Sequence, residues 1–373
     1  MKETFAKQLQ MYEKFRKREI LPRPILNISA FTGVPYQQPK SPEQKWLDET
    51  YIVDAALYRY HNSYYAAEGI PFLFTNLGPG CLAACIGGNY KLGDGTIWFD
   101  RDPVIHDWEQ LPAFGLDTDS EMWKHVERIQ SKTFAHPEIN TSITDLGGIM
   151  DIICSLRGTE NMLYDLYDYP NEIKALTKQV TKFWFEAFDR QKEAIAKTGR
   201  PYNNWMNIPS SKPWFPIQCD FSYMISPAQF EEFVLPHLNE QVGHLERSVY
   251  HLDGVGELPH PDRILDIEGL TAIQWTAGGG QPPLTDEGWF SMYKKIQEKG
   301  KNLILLGGLS GTDMKANERL IKTLDPTGVY ISYHASNTAS DGHRPSRSRT
   351  NRHHNRYIQP LSQELRQNSS GKD

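Results

Sequence analysis

The sequence is poor in cysteine and contains no long apolar run. Its 373 residues include four cysteines, spaced too unevenly for the disulfide framework of a small secreted domain. No stretch approaches the roughly 20 apolar residues that a membrane-spanning helix needs. The N-terminal segment also lacks the apolar core and cleavage site of a signal peptide. We therefore expect a cytoplasmic protein with reduced thiols and no membrane association.

A large excess of either charge is also missing. Lys and Arg number 40 and Asp and Glu 46, which gives a formal net charge of −6. Surfaces that bind nucleic acid are strongly basic, so this balance argues against nucleic-acid binding. With 39% hydrophobic residues, the chain can bury a large core. We expect a globular protein that acts on a small-molecule substrate.

Aliphatic residues nearly disappear toward the end of the sequence. Between 336 and 373 they are limited to Ile358, Leu361 and Leu365, whereas Arg, His, Ser and Asn are frequent. Such a segment buries too little apolar area to offset the entropy lost on ordering. The composition predicts a disordered basic tail over 336–373. A basic arm for anionic surfaces and a shifted reading frame near His334 are the alternative explanations.

Short apolar runs alternate with amphipathic helices through the rest of the chain. This order, without a break in composition, predicts an α/β protein with a single-domain (β/α)8 TIM-like barrel over 25–335, after an N-terminal helix within 1–24. An open doubly wound sheet is the alternative, but no G-x-G-x-x-G follows the first strand. Helices are predicted at Gln44–Glu68, Asn161–Lys197, Pro227–Arg247, Glu287–Lys299 and Thr312–Thr323. Strands are predicted at Ile25–Ile28, Pro71–Thr75, Ser142–Asp145, Asn203–Asn207, Pro216–Phe221, Val249–Leu252, Ala272–Trp275, Leu303–Leu306 and Val329–Tyr333.

Two of the predicted strands end abruptly in polar residues and glycine, within Val249–Gly254 and Ala272–Gly280. Buried parallel strands end in this way where their C-terminal ends open into a site. Residues two apart on a strand face the same side, so both polar residues of the first run can enter one cavity. We expect a shared cavity lined by His251, Asp253, Gln274 and Trp275.

Other polar residues follow other predicted strands. Asp145 and Asp220 suit acid–base chemistry or ligand binding, although a satisfied buried carboxylate that fixes a loop is the competing interpretation. Glycine-rich turns beside Asn76 and Gln281 permit close approach of a ligand to the backbone. The remaining substrate-binding candidates are Trp205, a large aromatic near a predicted rim, and His334 at the end of the last strand.

Several segments resemble the uroporphyrinogen decarboxylase superfamily. They are Asp220–Pro236, Tyr250–Gly254 and Gly328–Ile331, together with parts of 143–170 that resemble that superfamily's third strand and following helices. The resemblance extends over nearly the whole chain up to about His334. It implies a (β/α)8-like barrel that is either a porphyrinogen decarboxylase or a cobalamin-dependent methyltransferase. In the second case a corrinoid such as methylcobalamin is the substrate or arrives on a partner corrinoid protein.

The two branches differ near the N-terminus. The decarboxylases carry an arginine-rich strand end and an aspartate in a Ser-Asp-Ile context. Here the matching region, Arg23–Thr32, has no arginine after the strand, and Pro71–Gly80 contains no Ser-Asp-Ile. A substrate with eight carboxylates needs several guanidinium groups for bidentate pairing. The resemblance therefore favours the methyltransferase-like branch, which moves a methyl group between a small molecule and cobalamin or a thiol.

Zinc-dependent members of that branch bind the metal through a His-x-Cys pair and a later cysteine. This chain has His251-Leu-Asp253 at the matching place and no cysteine after Cys219, so the usual zinc ligand set is incomplete. His251 and Asp253 can still bind zinc or a harder divalent metal with Glu257 or His334. They can equally act without metal, as a base and an orienting carboxylate. A carboxy-lyase and a non-catalytic corrinoid- or ligand-binding protein remain as alternative functions.

Overall fold

A mainly parallel sheet forms the centre of the protein. The computed structural model describes residues 2–99 and 101–336. Its strands are β1 (Ile25–Phe31), β2 (Ser63–Ala67), β3 (Lys91–Leu92), β4 (Ile97–Trp98), β5 (Phe215–Gln218), β6 (Ser248–Asp253), β7 (Ala272–Thr276), β8 (Asn302–Leu305) and β9 (Val329–Ser336). Seven of them form one sheet in the order β2-β1-β9-β8-β7-β6-β5, and β3 pairs with β4 in a separate ribbon. All neighbours in the large sheet are parallel except β1 and β2.

Helices cover the sheet. They are α1 (Lys2–Arg16), α2 (Pro42–Leu47), α3 (Glu49–His61), α4 (Cys81–Cys85), α5 (Glu121–Phe134), α6 (Ile149–Arg157), α7 (Thr159–Asp168), α8 (Pro170–Ala196), α9 (Pro227–Gln229), α10 (Leu235–His244), α11 (Pro261–Leu265), α12 (Phe290–Glu298) and α13 (Met314–Thr323). Short 3-10 helices lie at Trp108–Gln110, Asp220–Met224, Val255–Glu257 and Glu287–Trp289. No helix of the described residues is both long and apolar enough to cross a bilayer.

Three of the predicted strands do not form regular strands. The segments 71–75, 142–145 and 203–207 lie side by side, joined by isolated bonds such as Leu73 N–H to Asn140 O and Ile143 N–H to Asn203 O. Polar side chains take the place of ladder partners here: Ser142 Oγ accepts from the Thr75 N–H at 2.9 Å. Within the described residues the ladder therefore runs from β2 to β5, and closure into a complete (β/α)8 barrel stays a prediction.

Two predicted long helices are interrupted. The helix expected over Gln44–Glu68 is divided at Asp48, which caps α3, and its last residues instead form β2 beside β1. The helix expected over Asn161–Lys197 breaks at Tyr169, because Pro170 lacks the N–H that a continuous helix would need and begins α8 instead. Composition alone did not reveal either break.

The helix predicted from Pro227 begins as expected but is not regular. Ser226 Oγ accepts from the Gln229 N–H, and the Gln229 side chain accepts from the Ser226 N–H, which forms a capping box at the start of the helix. Pro236 has no N–H to donate and its ring crowds the preceding turn. The chain accommodates this with five residues of π-helix, Phe230–Val234, before α10.

The inner face of the sheet is apolar at one end and polar at the other. Near the N-terminal ends of the strands, Ile25, Val249 and Tyr330 pack with Tyr12 and Phe15 of α1, which closes this end. The opposite face of the sheet packs against the helices in a larger apolar cluster. The row of polar side chains that includes His251 and Gln274 lies at the C-terminal ends of the strands. The tail predicted over 336–373 lies almost entirely outside the described residues.

We predict that the docking of α1 contributes strongly to stability. Phe15→Ala should lower the free energy of unfolding by about 3–5 kcal/mol, because it leaves a cavity in the closed end of the sheet. Phe15 is 1% exposed, whereas Ile20 is 91% exposed, so Ile20→Ala is the matched control and should change stability by less than about 0.5 kcal/mol. Urea denaturation measures both values. Equal small effects would show that α1 is not docked.

Candidate functional site

Polar side chains from three neighbouring strands form one row on the inner face. The parallel register places Gln218 of β5 beside His251 of β6, and His251 beside Gln274 of β7. Asp253 pairs with Thr276 one pleat further toward the C-terminal ends. Residues two apart on each strand share a face, which explains the common orientation. The expected grouping of His251, Asp253 and Gln274 is therefore present.

The orientation of His251 is fixed by its neighbours. Its Nδ1 atom bonds to Gln274 Oε1, and Gln274 Nε2 donates to Thr276 Oγ1 at 2.9 Å. In this arrangement Nδ1 carries the proton that is donated to the amide oxygen. The Trp205 ring meets the His251 ring edge-on, with centroids 4.9 Å apart. The other ring nitrogen, Nε2, is left facing carboxylates, with Asp253 Oδ2 at 3.7 Å.

Three side chains at this end of the sheet are spaced as metal ligands. Side-chain ligand atoms of Asp220, His251 and Asp253 all lie within 4.8 Å of one another. One imidazole and two carboxylates fit zinc, manganese or iron better than they fit a metal that requires thiolates. The sequence indicated Glu257 or His334 as the third ligand, but neither belongs to this group. Asp220, which follows β5, takes that position because β5 is the neighbour of β6.

Glu257 and His334 occupy different surroundings. His334 lies on β9, where its Nδ1 atom is 2.8 Å from Ser29 Oγ. Its strand is separated from β6 by β8 and β7, which explains its absence from the group. Glu257 is fully buried in a 3-10 turn after β6, and Tyr250 donates to its Oε2 atom at 3.4 Å. Tyr250 faces the helix side of the sheet, so Glu257 lies behind the site.

Negative charge is concentrated around this site. Burial and the nearby charge of Asp220 raise the pKa of Asp151 to about 7. Burial also raises the pKa of Asp145 and of Asp220 above their ordinary values. For Glu257, burial and the charges of Asp220, Asp151 and Asp253 raise the pKa to about 10. The carboxyl groups therefore retain protons more strongly than they would in water.

The pKa of His251 is also raised, but by neighbouring negative charge rather than by burial. Burial alone would lower the pKa of His251, but the ion pair with Asp253 and the charge of Asp220 together raise it. The interaction with His251 in turn lowers the pKa of Asp253. At 3.7 Å this contact is an ion pair rather than a hydrogen bond. The cluster thus stabilises one positive charge between Asp220 and Asp253, supplied by a proton or by a metal ion.

The other predicted site residues have structural surroundings. Trp275 is fully buried and contacts Trp289 in the helix layer. It is therefore not in the cavity with Gln274, because adjacent residues on a strand face opposite sides.

Asn76 is exposed, and its Oδ1 atom accepts from the Gly78 N–H. Gln281 is exposed in a loop after β7. Asp145 accepts from the Gly147 N–H at 2.9 Å and remains close enough to His251 to influence its charge.

Sequence reasoning missed Asp151. This residue lies in the first turn of α6, and its two oxygens accept from the Asp220 and Phe221 N–H groups at 3.0 and 2.8 Å. It thereby holds the turn that presents Asp220. A Cβ atom on Gly148 would lie 2.2 Å from Asp151 Oδ2 and 2.4 Å from Gln218 O. The glycine pair preceding α6 was the available signal, because it permits this close approach.

A cavity of about 340 Å³ adjoins the carboxylate cluster. It lies between the β3–β4 ribbon, the start of α6 and the 3-10 turn at Asp220–Met224. This volume is at the small end of the roughly 300–1,000 Å³ range of ligand pockets, which indicates a small ligand. Side chains that face the cavity include those of Ile97, Trp98, Phe99, Asp151, Asp220, Phe221 and Met224.

Comparison with known proteins supports the fold. Neither protein-family models nor curated protein sequences give a match to this chain. Among solved structures, a methyltransferase from Methanosarcina mazei is similar, with a TM-score of 0.52 and 10% sequence identity. The alignment covers 88% of this chain and 92% of that chain. At this identity the likeness shows a common α/β, TIM-like arrangement of the chain, and the superfamily resemblance of the sequence stays a prediction.

We predict that Glu257 makes stability depend on pH. A buried carboxyl with a pKa of about 10 stays protonated in the native state but ionises in the unfolded state above about pH 4.3. Between about pH 4.3 and pH 10 the native state binds one proton more than the unfolded state. The free energy of unfolding therefore falls as pH rises through this range, by at most about 1.4 kcal/mol per pH unit. Glu257→Gln should therefore be more stable than the unmodified protein at pH 8, and by less at pH 6.

Urea denaturation at several pH values measures this difference. The matched control is Glu268→Gln, which makes the same chemical change at an exposed position. Parallel stability curves for the Glu257→Gln variant and the unmodified protein would contradict the assignment of a protonated Glu257.

Proposed function

We propose that this chain is a methyltransferase-like enzyme with a TIM-like barrel, in which His251, Asp253 and Asp220 bind a divalent metal ion. The methyl group would move between a small molecule and cobalamin or a thiol. The observation that carries this proposal is the grouping of one imidazole and two carboxylates within 4.8 Å at the C-terminal ends of β5 and β6. Sites of TIM-like barrels lie at this end of the strands.

The surroundings of His251 favour metal binding over a metal-free base. A histidine that ligates a metal through one nitrogen usually donates its other N–H to an oxygen, which fixes the ring. Gln274 accepts from Nδ1 in this way, and Thr276 holds the amide of Gln274. A neutral imidazole would otherwise direct the lone pair of Nε2 toward two carboxylates. The lone pair and the carboxylates repel one another. A divalent cation between Nε2 and the carboxylates would attract all three groups.

Each residue has a distinct part in the proposed mechanism. When bound, the divalent ion supplies Lewis acidity that lowers the pKa of a coordinated thiol and so makes it a better methyl acceptor. His251, Asp253 and Asp220 hold the ion, and Gln274 orients the imidazole. Asp151 positions Asp220 by accepting from its backbone N–H at 3.0 Å. The apolar side chains around the cavity exclude water from the substrate.

The decarboxylase alternative receives less support from the cavity. Its lining contains the carboxylates Asp151 and Asp220 but no lysine or arginine. Uroporphyrinogen carries eight carboxylates, which need guanidinium or ammonium partners. A cavity of about 340 Å³ is also small for a tetrapyrrole. A corrinoid would therefore meet the site from the rim, either free or on a partner protein.

We predict that metal affinity depends on His251 and on its orientation. Titration calorimetry with Zn²⁺ or Mn²⁺ should give one site per chain, and His251→Ala should remove it. Gln274→Ala should lower the affinity about 10–100-fold, because it removes the partner of a ligand. His334→Ala is the matched control, because it removes a histidine of the same sheet outside the group. An unchanged affinity in the His251→Ala variant would contradict the site.

The same measurement has a pH dependence. Metal must displace the proton that the carboxylates stabilise on His251, whose pKa is raised. Affinity should therefore fall about tenfold per unit as pH is lowered below that pKa. The His334→Ala variant should show the same dependence.

Turnover provides the test of the reaction. Metal-loaded protein should demethylate methylcobalamin in the presence of a small thiol. The change in cobalamin absorbance measures this reaction. Asp253→Asn should lower kcat by about 100-fold or more, since proton or metal chemistry at the acceptor is worth at least that much. Release of carbon dioxide from a carboxylated substrate would instead favour the lyase. Ligand retention with no turnover would favour a binding protein.

A further inference from the structure

The cavity beside the metal ligands combines aromatic walls with negative charge. Trp98 ends the β3–β4 ribbon, Phe99 follows it, and Phe221 comes from the turn after β5. Asp151 and Asp220 contribute the carboxyl groups of the lining, beside the uncharged polar residues Thr96, Ser155, Thr159 and Gln218. We propose that this cavity binds a small alkylated ammonium ion, which is the methyl donor of the proposed reaction. This inference rests on the proposed function for the donor role, but the binding can be measured without turnover.

The carboxylates of the cavity favour a cationic ligand. Among the described residues, neither Asp151 nor Asp145 forms an ion pair with lysine or arginine. The cationic group that interacts with Asp220 in this part of the structure is His251. A divalent ion on Asp220 and Asp253 would offset those two charges and leave Asp145 and Asp151. Lys91 of the ribbon and Arg101, which follows it, line a separate depression rather than this cavity. An anionic ligand would therefore enter without a counter-charge.

The hydrogen bonds already present favour an alkylated cation over a primary amine. Both oxygens of Asp151 accept backbone N–H groups, so this carboxylate offers mainly its charge to a ligand. The rest of the wall is mainly apolar, with Ile97 and Met224 beside the aromatic rings, and its other polar side chains, such as Ser155 and Gln218, are uncharged. Methyl groups of an ammonium ion pack well on such surfaces, and aromatic faces attract the positive charge. Trp98 already stacks on one cation, Arg101, at 3.9 Å.

The chemistry of methyl transfer fits this ligand. A nucleophile, cobalamin or a thiolate, supplies the electron pair for the new bond to the methyl carbon. The bond between nitrogen and that carbon breaks, and its electron pair remains on nitrogen. The amine leaves as a neutral molecule and then takes up a proton from water. It has one methyl group fewer to pack against the aromatic wall, so the product should bind more weakly than the donor.

Choline and 3,3-dimethylbutan-1-ol have nearly the same shape, but only choline is charged. Comparing their affinities therefore isolates the contribution of charge to binding. Calorimetric titration of the full chain should show binding of choline, and the neutral alcohol should bind at least tenfold more weakly. Asp151→Asn should lower choline affinity at least tenfold. Asp54→Asn is the matched control, because Asp54 is exposed on α3 outside the cavity lining. Trp98→Leu should lower the affinity several-fold and leaves the carboxylates in place, which keeps the test valid if Asp151→Asn misfolds.

The outcomes distinguish this inference from the proposed function. Choline binding by a protein that does not demethylate methylcobalamin in the presence of a thiol supports the cation site and contradicts the methyltransferase. Methyl transfer from neutral donors, with no binding of choline, contradicts the cation site and leaves the methyltransferase intact. Equal affinity for choline and the neutral alcohol, or a preference for propionate, overturns the inference.

Discussion

The site depends on the crowding of carboxyl groups at the C-terminal ends of the strands. Asp145, Asp151, Asp220 and Asp253 lie close enough to influence one another, and Glu257 is buried behind them. Like charges in a poorly solvated place cannot all remain ionised unless a cation joins them. A proton on Glu257 and the positive form of His251 satisfy part of this requirement. A bound metal and a cationic substrate would meet the rest.

The remainder of the fold holds these groups in place. The closed end of the sheet is filled mainly by apolar side chains and by α1, and the row of polar side chains lies at the opposite end. Gln274 and Thr276 orient His251, while Asp151 anchors the turn that carries Asp220. The restraint on each ligand comes from a different element. Preorganisation of this kind is what a metal site or a reacting nucleophile needs.

The features predicted from sequence were those set by local pattern. The apolar runs of β6 and β7 and their polar ends indicated that His251 and Gln274 would be neighbours. Trp275 was misplaced because it was grouped with Gln274 by position along the chain, although strand alternation sends it to the other face. The choice of Asp220 over His334 depends on strand order, which periodicity does not contain. Asp151 acts through backbone N–H groups about 70 positions later in the chain, a contact visible only in the folded protein.

The irregular segments outside the seven-stranded sheet were not predictable from the sequence pattern either. The segments 71–75, 142–145 and 203–207 have the composition of buried strands, but Ser, Thr and Gln side chains replace their ladder bonds. The central claim is that His251, Asp253 and Asp220 bind one divalent metal ion. Anomalous diffraction from crystals grown with Zn²⁺ or Mn²⁺ tests it most directly. The account predicts a single strong peak between His251 Nε2 and the two carboxylates; an empty site, or a peak at His334 instead, would contradict it.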